Sequence, residues 1–206
     1  CEASGYSSLT MPDHFTDQLA PVPALMCAAD ATTTLRVGAL VWDNDYKHPA
    51  VLAKELATLD VLSEGRLEVG LGAGWMASDY EAVGLPYDPP GVRIDRFVEG
   101  LAVIKACFAA EPVDFAGVHY TLRNYSARPA PIQQRPPILI GGGGRRMLGI
   151  AAREADIVGI NGTLTTGVTD ASTIASMSAD AVDAKVAWVA EAAGDRIGDI
   201  ELNVRA

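Results

Sequence analysis

The chain has 206 residues, of which 49% are hydrophobic, 20% charged and 6% aromatic, and its formal net charge is −10. That length suits one domain, and the apolar fraction excludes a disordered chain. The acidic balance leaves no surplus of Lys and Arg for a nucleic acid. No segment approaches the ~20 apolar residues of a membrane span. Glu2, Asp13, His14 and Asp17 argue against a signal peptide. Cys1, Cys27 and Cys107 are widely spaced, which fits neither a disulfide framework nor a zinc site, so a reducing cytoplasm is the expected compartment. The chain opens on Cys1, CEASGY has the form of a helix end stopped by Gly5, and IELNVRA reads as a strand with nothing after it. The expectation is a domain truncated at both ends.

Strand-like and helix-like segments alternate from there. Tyr6–Met11 reads as a short strand ended by Pro12. Residues 22–32 read as a helix with Leu25, Met26 and Ala29 on one face. Residues 35–42 (LRVGALVW) are nearly all apolar, as a strand buried on both faces is. Residues 43–48 form a polar loop, Pro49 suits a helix start, Leu52, Leu56 and Leu59 follow at helical spacing, and Gly65 marks the stop. Residues 67–71 are the next strand. The clearest helix spans 91–108, with Ile94, Phe97, Val98, Leu101, Ile104 and Phe108 in one stripe. Residues 112–136 break the rhythm with a β-hairpin and a run of prolines, and are expected as an insertion over the body of the domain. A strand at 137–140, a helix from the GGGGRR stretch to Ala155, a strand at 157–160, a helix at 180–193 and a strand at 200–204 complete the chain.

Repeated βα units imply a parallel sheet, either closed as a (β/α) barrel or doubly wound. Short strands that each end in a polar or glycine loop favour the barrel. A whole barrel needs eight strands and about 250 residues, so an incomplete one is expected.

Barrel chemistry sits on the loops after the strands. Four such loops carry candidate residues. Asp13 and His14 follow the first strand, where a His beside a carboxylate either exchanges a proton or belongs to a surface turn. His48 and His119 read as structural or solvated. Residues 38–45, including Ala39, Leu40 and Asn44, read as a core strand and a solvated loop on their own terms. Gly74 and Trp75 follow the 67–71 strand: small residues there admit a flat ligand, while Trp75 either walls a pocket or packs. Gly141, Gly142, Gly143 and Gly144, followed by Arg145 and Arg146, bring backbone N–H groups and positive charge to a helix start, which suits a phosphate. The pattern is neither G-x-G-x-x-G nor a P-loop.

Taken together, MPDHF (11–15), TLRVGALVWDNDYKHPAVLAKELATLDVLSEGRLEVGLGAGW (34–75), GVRIDRFVEGL (91–101) and PPILIGGGGRRMLGIAAREADIVGIN (136–161) resemble the luciferase-like monooxygenase superfamily, most closely its bacterial branch dependent on coenzyme F420. The resemblance implies a (β/α)8 TIM barrel with an insertion before the fifth strand, of which strands two to seven are present here. It implies F420 as cofactor, with FMN as the alternative, at the C-terminal mouth of the barrel. It implies His14 beside the reactive ring atoms, a non-prolyl cis peptide at Ala39–Leu40 under the ring, and Gly141–Gly144 with Arg145 at the cofactor phosphate. The acidic residue that some deazaflavin dehydrogenases carry after strand four is unmatched, since Trp75 and Met76 stand there. The expected function is hydride transfer between the deazaflavin and a small organic substrate, with Asp13 orienting His14. FMN-dependent monooxygenation is the alternative, and an inactive barrel fragment or non-catalytic binding protein is the rival of another class. A homodimer or other homo-oligomer is expected, from the resemblance and from the open edges of an incomplete barrel.

Overall fold

A computed structural model describes residues 1–109, 111–164 and 166–204. One parallel sheet organises it. Its strands are β1 (Ser8–Met11), β2 (Arg36–Ala39), β3 (Trp42–Asp43), β4 (Leu67–Gly72), β7 (Ile138–Gly142), β8 (Ile157–Ile160) and β9 (Glu201–Val204), while β5 (Pro112–Ala116) and β6 (Thr121–Ser126) form a separate antiparallel hairpin. The main path runs β1-β2-β4-β7-β8-β9, and β3 continues the line of β2 beside β4. Strand order follows chain order without reversal. A doubly wound sheet reverses at its switch point, so this is the barrel arrangement, here a curled half-barrel with β1 and β9 as outer strands.

Helices α1 (Pro21–Asp30), α2 (Pro49–Leu62), α4 (Pro90–Phe108), α5 (Arg145–Glu154) and α7 (Ala179–Ala193) follow strands or the hairpin's neighbours as the alternation predicts. Pro sits in the first turn of α1, α2 and α4, where its missing N–H costs nothing. Val37, Leu67, Val69, Leu71 and Ile140 from the sheet meet Leu25, Leu56, Phe97, Ile104 and Leu148 from the helices in one core. Inside the curl the backbones approach closely: a Cβ on Gly70 would lie 1.9 Å from the Ala39 carbonyl oxygen.

Two short helices, α3 (Ala77–Val83) and α6 (Ala171–Ala175), and strand β3 were not legible as elements. Gly5, at φ 82°, does end a helical turn, the 3-10 turn Glu2–Ser4. The hairpin and the proline-rich stretch after it are fastened to the helices at two points. Glu99 on α4 accepts the N–H groups of Val118, His119 and Tyr120 in the hairpin turn. Asp60 on α2 accepts those of Ile132 and Gln133 and the Gln133 side chain, which pins the proline-rich return strap beneath the N-terminal end of β4. Among the described residues no helix is long and apolar enough to cross a membrane.

Candidate active site

The loops at the C-terminal ends of β1, β2, β4, β7 and β8 surround one cavity of about 700 Å³, the size of a cofactor or drug-sized ligand site. Asp13, His14, Leu40, Gly74, Trp75 and Gly141–Gly144 all line it.

At one end stands His14. Its Nδ1 lies 2.6 Å from Oδ2 of Asp79, a carboxyl only 3% exposed on α3, and the Tyr46 hydroxyl donates to the same oxygen at 2.9 Å. A carboxylate on Nδ1 fixes the tautomer and leaves Nε2 as the free nitrogen. Trp75 stands edge-on to the imidazole, with ring centroids 5.7 Å apart. Beneath them, Asp13 accepts the Asp43 N–H at 3.3 Å, and burial pushes the Asp13 carboxyl up. Burial, with the Asp45 carboxylate nearby, pushes Asp43 up to about 7. Tyr80 Oη lies 3.2 Å from both oxygens of Asp43 and 3.0 Å from Oδ2 of Asp45. One hydroxyl proton serves two carboxyls there, and a proton on Asp43 relieves the shortage. Arg96 neutralises Asp45 instead, at 2.9 Å. Gly74, at φ 76°, closes over this group: a Cβ would lie 1.8 Å from Tyr80 Oη.

The opposite wall is cationic. Gly142 and Gly143 are required for close approach rather than for left-handed backbone, which none of Gly141–Gly144 adopts. A Cβ on Gly143 would meet the Gly162 carbonyl oxygen at 2.0 Å, and one on Gly142 would meet Met147 Cβ at 2.7 Å. Gly144 is the N-cap of α5 and offers no side-chain cap, so the N–H groups of the first turn are left for another acceptor. Arg146 and Arg93 line the cavity beside it. Arg93 is 4% exposed, its guanidinium lies 4.2 Å above the Tyr87 ring, and Nη1 donates to the Asp88 carbonyl. Its Nε has no hydrogen-bond partner among the described residues. A buried guanidinium with an orphaned donor on a cavity wall is suited to an anionic ligand group.

Several expectations need correction. Asp79, not Asp13, orients His14, because α3 carries its carboxyl onto the imidazole. Arg145 turns away from the cavity: it is 64% exposed, pairs with Glu191 at 2.7 Å and lies over Trp188, while its neighbour Arg146 faces the wall. Asn44 is not a wall residue. It is buried against Gly100, where a Cβ would lie 2.0 Å from its Oδ1, and it donates to the Tyr120 hydroxyl. Ala39 pairs with Met11 in the sheet and is core. The non-prolyl cis peptide is Leu40–Val41, one bond beyond Ala39–Leu40, because the ladder holds Leu40 N–H to the Met11 carbonyl and the chain leaves the strand only after it. Of the groups missed, Arg93 had a signal: it lies four residues before Phe97, on the buried face of α4. Among the described residues no cluster of His, Cys, Asp and Glu suits a metal ion.

The chain belongs to the luciferase-like monooxygenase family, whose model matches residues 1–192. It is 33% identical over 138 residues to an FMNH2-dependent dimethylsulfone monooxygenase of Pseudomonas fluorescens (strain Pf0-1), covering 67% of this chain and 37% of that one. It is 33% identical over 167 residues to an F420-dependent glucose-6-phosphate dehydrogenase of Beutenbergia cavernae, covering 75% and 48%. The chain thus spans less than half the length of either relative. The coenzyme F420-dependent tetrahydromethanopterin reductase from Methanopyrus kandleri shares the fold with a TM-score of 0.82 at 22% identity, over 100% of this chain and 59% of that one.

Proposed function

We propose that the cavity holds coenzyme F420 and that the protein is an oxidoreductase passing a hydride between that deazaflavin and a small organic substrate. The observation that carries this reading is the pairing of two ends of one cavity: a His14 oriented by Asp79, and an anion-ready wall of Gly141–Gly144, uncapped α5, Arg93 and Arg146. A phosphate-bearing planar cofactor matches both. When bound, it would supply the hydride acceptor or donor. The chain's own residues do the rest. Backbone N–H groups of the glycine loop and the two arginines hold the phosphate. Leu40 and Val41 give the ring an apolar rest. His14 Nε2 takes or gives the proton that accompanies the hydride, and Asp79 and Tyr46 keep the imidazole in register.

FMN is the second reading, supported by the likeness to the FMNH2-dependent relative. Titrating purified protein with F420 and with FMN, each followed by its fluorescence, tests both. Saturable binding of one, weakened by Arg93→Met, is the expected result. A protein that takes up neither has lost this reading.

A further inference from the structure

Lys185 on α7 is 2% exposed, and among the described residues its ammonium has only neutral acceptors: the carbonyls of Asn161 at 2.6 Å and Ser176 at 2.8 Å, and Met177 Sδ at 3.9 Å. A buried cation without a carboxylate is costly, and an apolar residue would fill the same volume more cheaply. The arrangement therefore calls for a reason beyond packing. Both carbonyls belong to segments that wall the cavity next to the glycine loop.

From Lys185 a continuous set of hydrogen bonds runs to that loop. The Asn161 N–H donates to the Gly142 carbonyl at 2.9 Å. The Thr163 hydroxyl donates to the Gly143 carbonyl at 2.9 Å, and the Thr163 N–H donates to Ser176 Oγ at 2.8 Å. Ser176 Oγ donates in turn to the Thr173 carbonyl at 2.6 Å. The Lys185 ammonium holds the Asn161 and Ser176 carbonyls together and so fixes the segment whose Asn161 N–H and Thr163 hydroxyl bond the glycine loop. Peptide groups are planar and these are trans. With the carbonyls of Gly142 and Gly143 drawn toward residues 161–163, the N–H groups of Gly143 and Gly144 must point the other way.

We propose that Lys185 is a positioning residue for the glycine loop, fixing residues 161–163 so that the Gly143 and Gly144 amides face the phosphate of a bound cofactor. The proposal rests on the cofactor reading above. The test compares ligand pairs that differ in the phosphate: FMN against riboflavin, and F420 against its chromophore lacking the phosphodiester. Wild type should prefer the phosphate-bearing member. Lys185→Met should lose about tenfold of that preference with the phosphate-free affinity nearly unchanged. A purely structural role lowers both affinities together. If Lys185→Met does not fold, judged by thermal melting, Thr163→Val decides in its place, since it cuts only the link to Gly143 and carries the same expectation. A folded Lys185→Met that keeps the full preference, or that weakens both ligands in parallel, overturns the proposal. A wild type with no phosphate preference overturns the cradle reading, and this inference with it.

Discussion

The two ends of the half-barrel treat polar groups in opposite ways. At the N-terminal end the polar side chains, buried or half-buried, are richly partnered. Asp60, 0% exposed, accepts two backbone N–H groups and a side-chain amide. Arg66 donates to the Ser63, Leu35 and Ala29 carbonyls and to the Thr32 hydroxyl. Glu2 accepts from Thr33, Thr34 and Leu35, which holds its carboxyl down at about 2. At the C-terminal end the same kinds of group are left short: Arg93 Nε is orphaned among the described residues, α5 is uncapped, and Asp43 and Asp45 share one hydroxyl proton. Complete satisfaction marks groups that hold the chain together. Incomplete satisfaction on the cavity wall suits a ligand, whereas Trp42 Nε1, also orphaned among the described residues, lies off that wall.

The largest effect that tests this contrast is on turnover. His14→Ala should lower hydride transfer by about 10²–10⁴-fold with little change in melting temperature, measured on the same preparation with F420 reduction as the readout. Asp79→Asn should fall between that variant and wild type, since an amide still reaches Nδ1 but no longer supports the protonated ring. Equal loss of stability and of turnover in both variants would make His14 part of the scaffold, and the contrast would fail at its centre.

Next come the paired losses at the two ends. Asp60→Ala takes the acceptor from the Ile132 and Gln133 N–H groups and from the Gln133 amide and should destabilise the fold by about 1–3 kcal/mol, read from chemical denaturation, with cofactor affinity per folded molecule unchanged. Arg93→Met should do the reverse. It removes a buried charge together with its bond to the Asp88 carbonyl and its stacking on Tyr87, so stability changes little, while affinity for a phosphate-bearing cofactor drops by about ten- to a hundredfold. The same pattern of loss in both variants would erase the distinction between satisfied and unsatisfied groups.

Asp43 sharpens the comparison through pH. Its folded value of about 7 lies above the ordinary carboxylate value of 3.8, so the folded state holds the proton more tightly. Below about pH 4 both states are protonated and the contribution is fully present. As pH rises to 7 the unfolded chain ionises first, and stability is lost until the folded carboxyl ionises too. The gap between the two values sets an upper bound of about 4 kcal/mol on that loss. Asp43→Asn should therefore stabilise the protein at pH 8, on the order of 1–4 kcal/mol, and make no difference at pH 4. Denaturation curves at the two pH values give the answer, and a gain that is equal at both refutes burial of the charge as its source.

Legibility in the sequence follows the same division. The sheet was readable because buried parallel strands are continuous apolar runs, as in Leu67–Leu71 and Ile138–Ile140. The helices were readable from stripes such as Phe97, Leu101 and Ile104. The helix α3 was not: its buried residues are Asp79 and Tyr80, buried for their hydrogen bonds, so it shows no apolar periodicity. The His14–Asp79 pair spans 65 residues, and no local spacing encodes it. Glycines 141–144 are conspicuous by composition, yet the constraint on Gly143 is the passing backbone of Gly162 and that on Gly142 is Met147, which only the fold supplies.

The smallest expected effect concerns two adjacent arginines. On an α-helix successive residues point about 100° apart, so of Arg145 and Arg146 only one can face the cavity, and composition cannot say which. Arg145 pairs with Glu191 at 2.7 Å while both side chains remain about two-thirds exposed, and such pairs contribute little. Arg145→Ala should change cofactor affinity by less than about twofold and stability by less than about 0.5 kcal/mol. Arg146 also has a surface partner, Asp95 at 2.5 Å, but it borders the cavity and contributes positive charge to its wall. Arg146→Ala should weaken a phosphate-bearing cofactor several-fold, and the loss should shrink as salt rises, because half-exposed charges are screened. Isothermal titration of the two variants at low and high salt separates them. A larger loss from Arg145 than from Arg146 would mean that the loop binds its anion on the α7 side, and the cavity's cationic wall would have to be redrawn around Trp188 and Glu191.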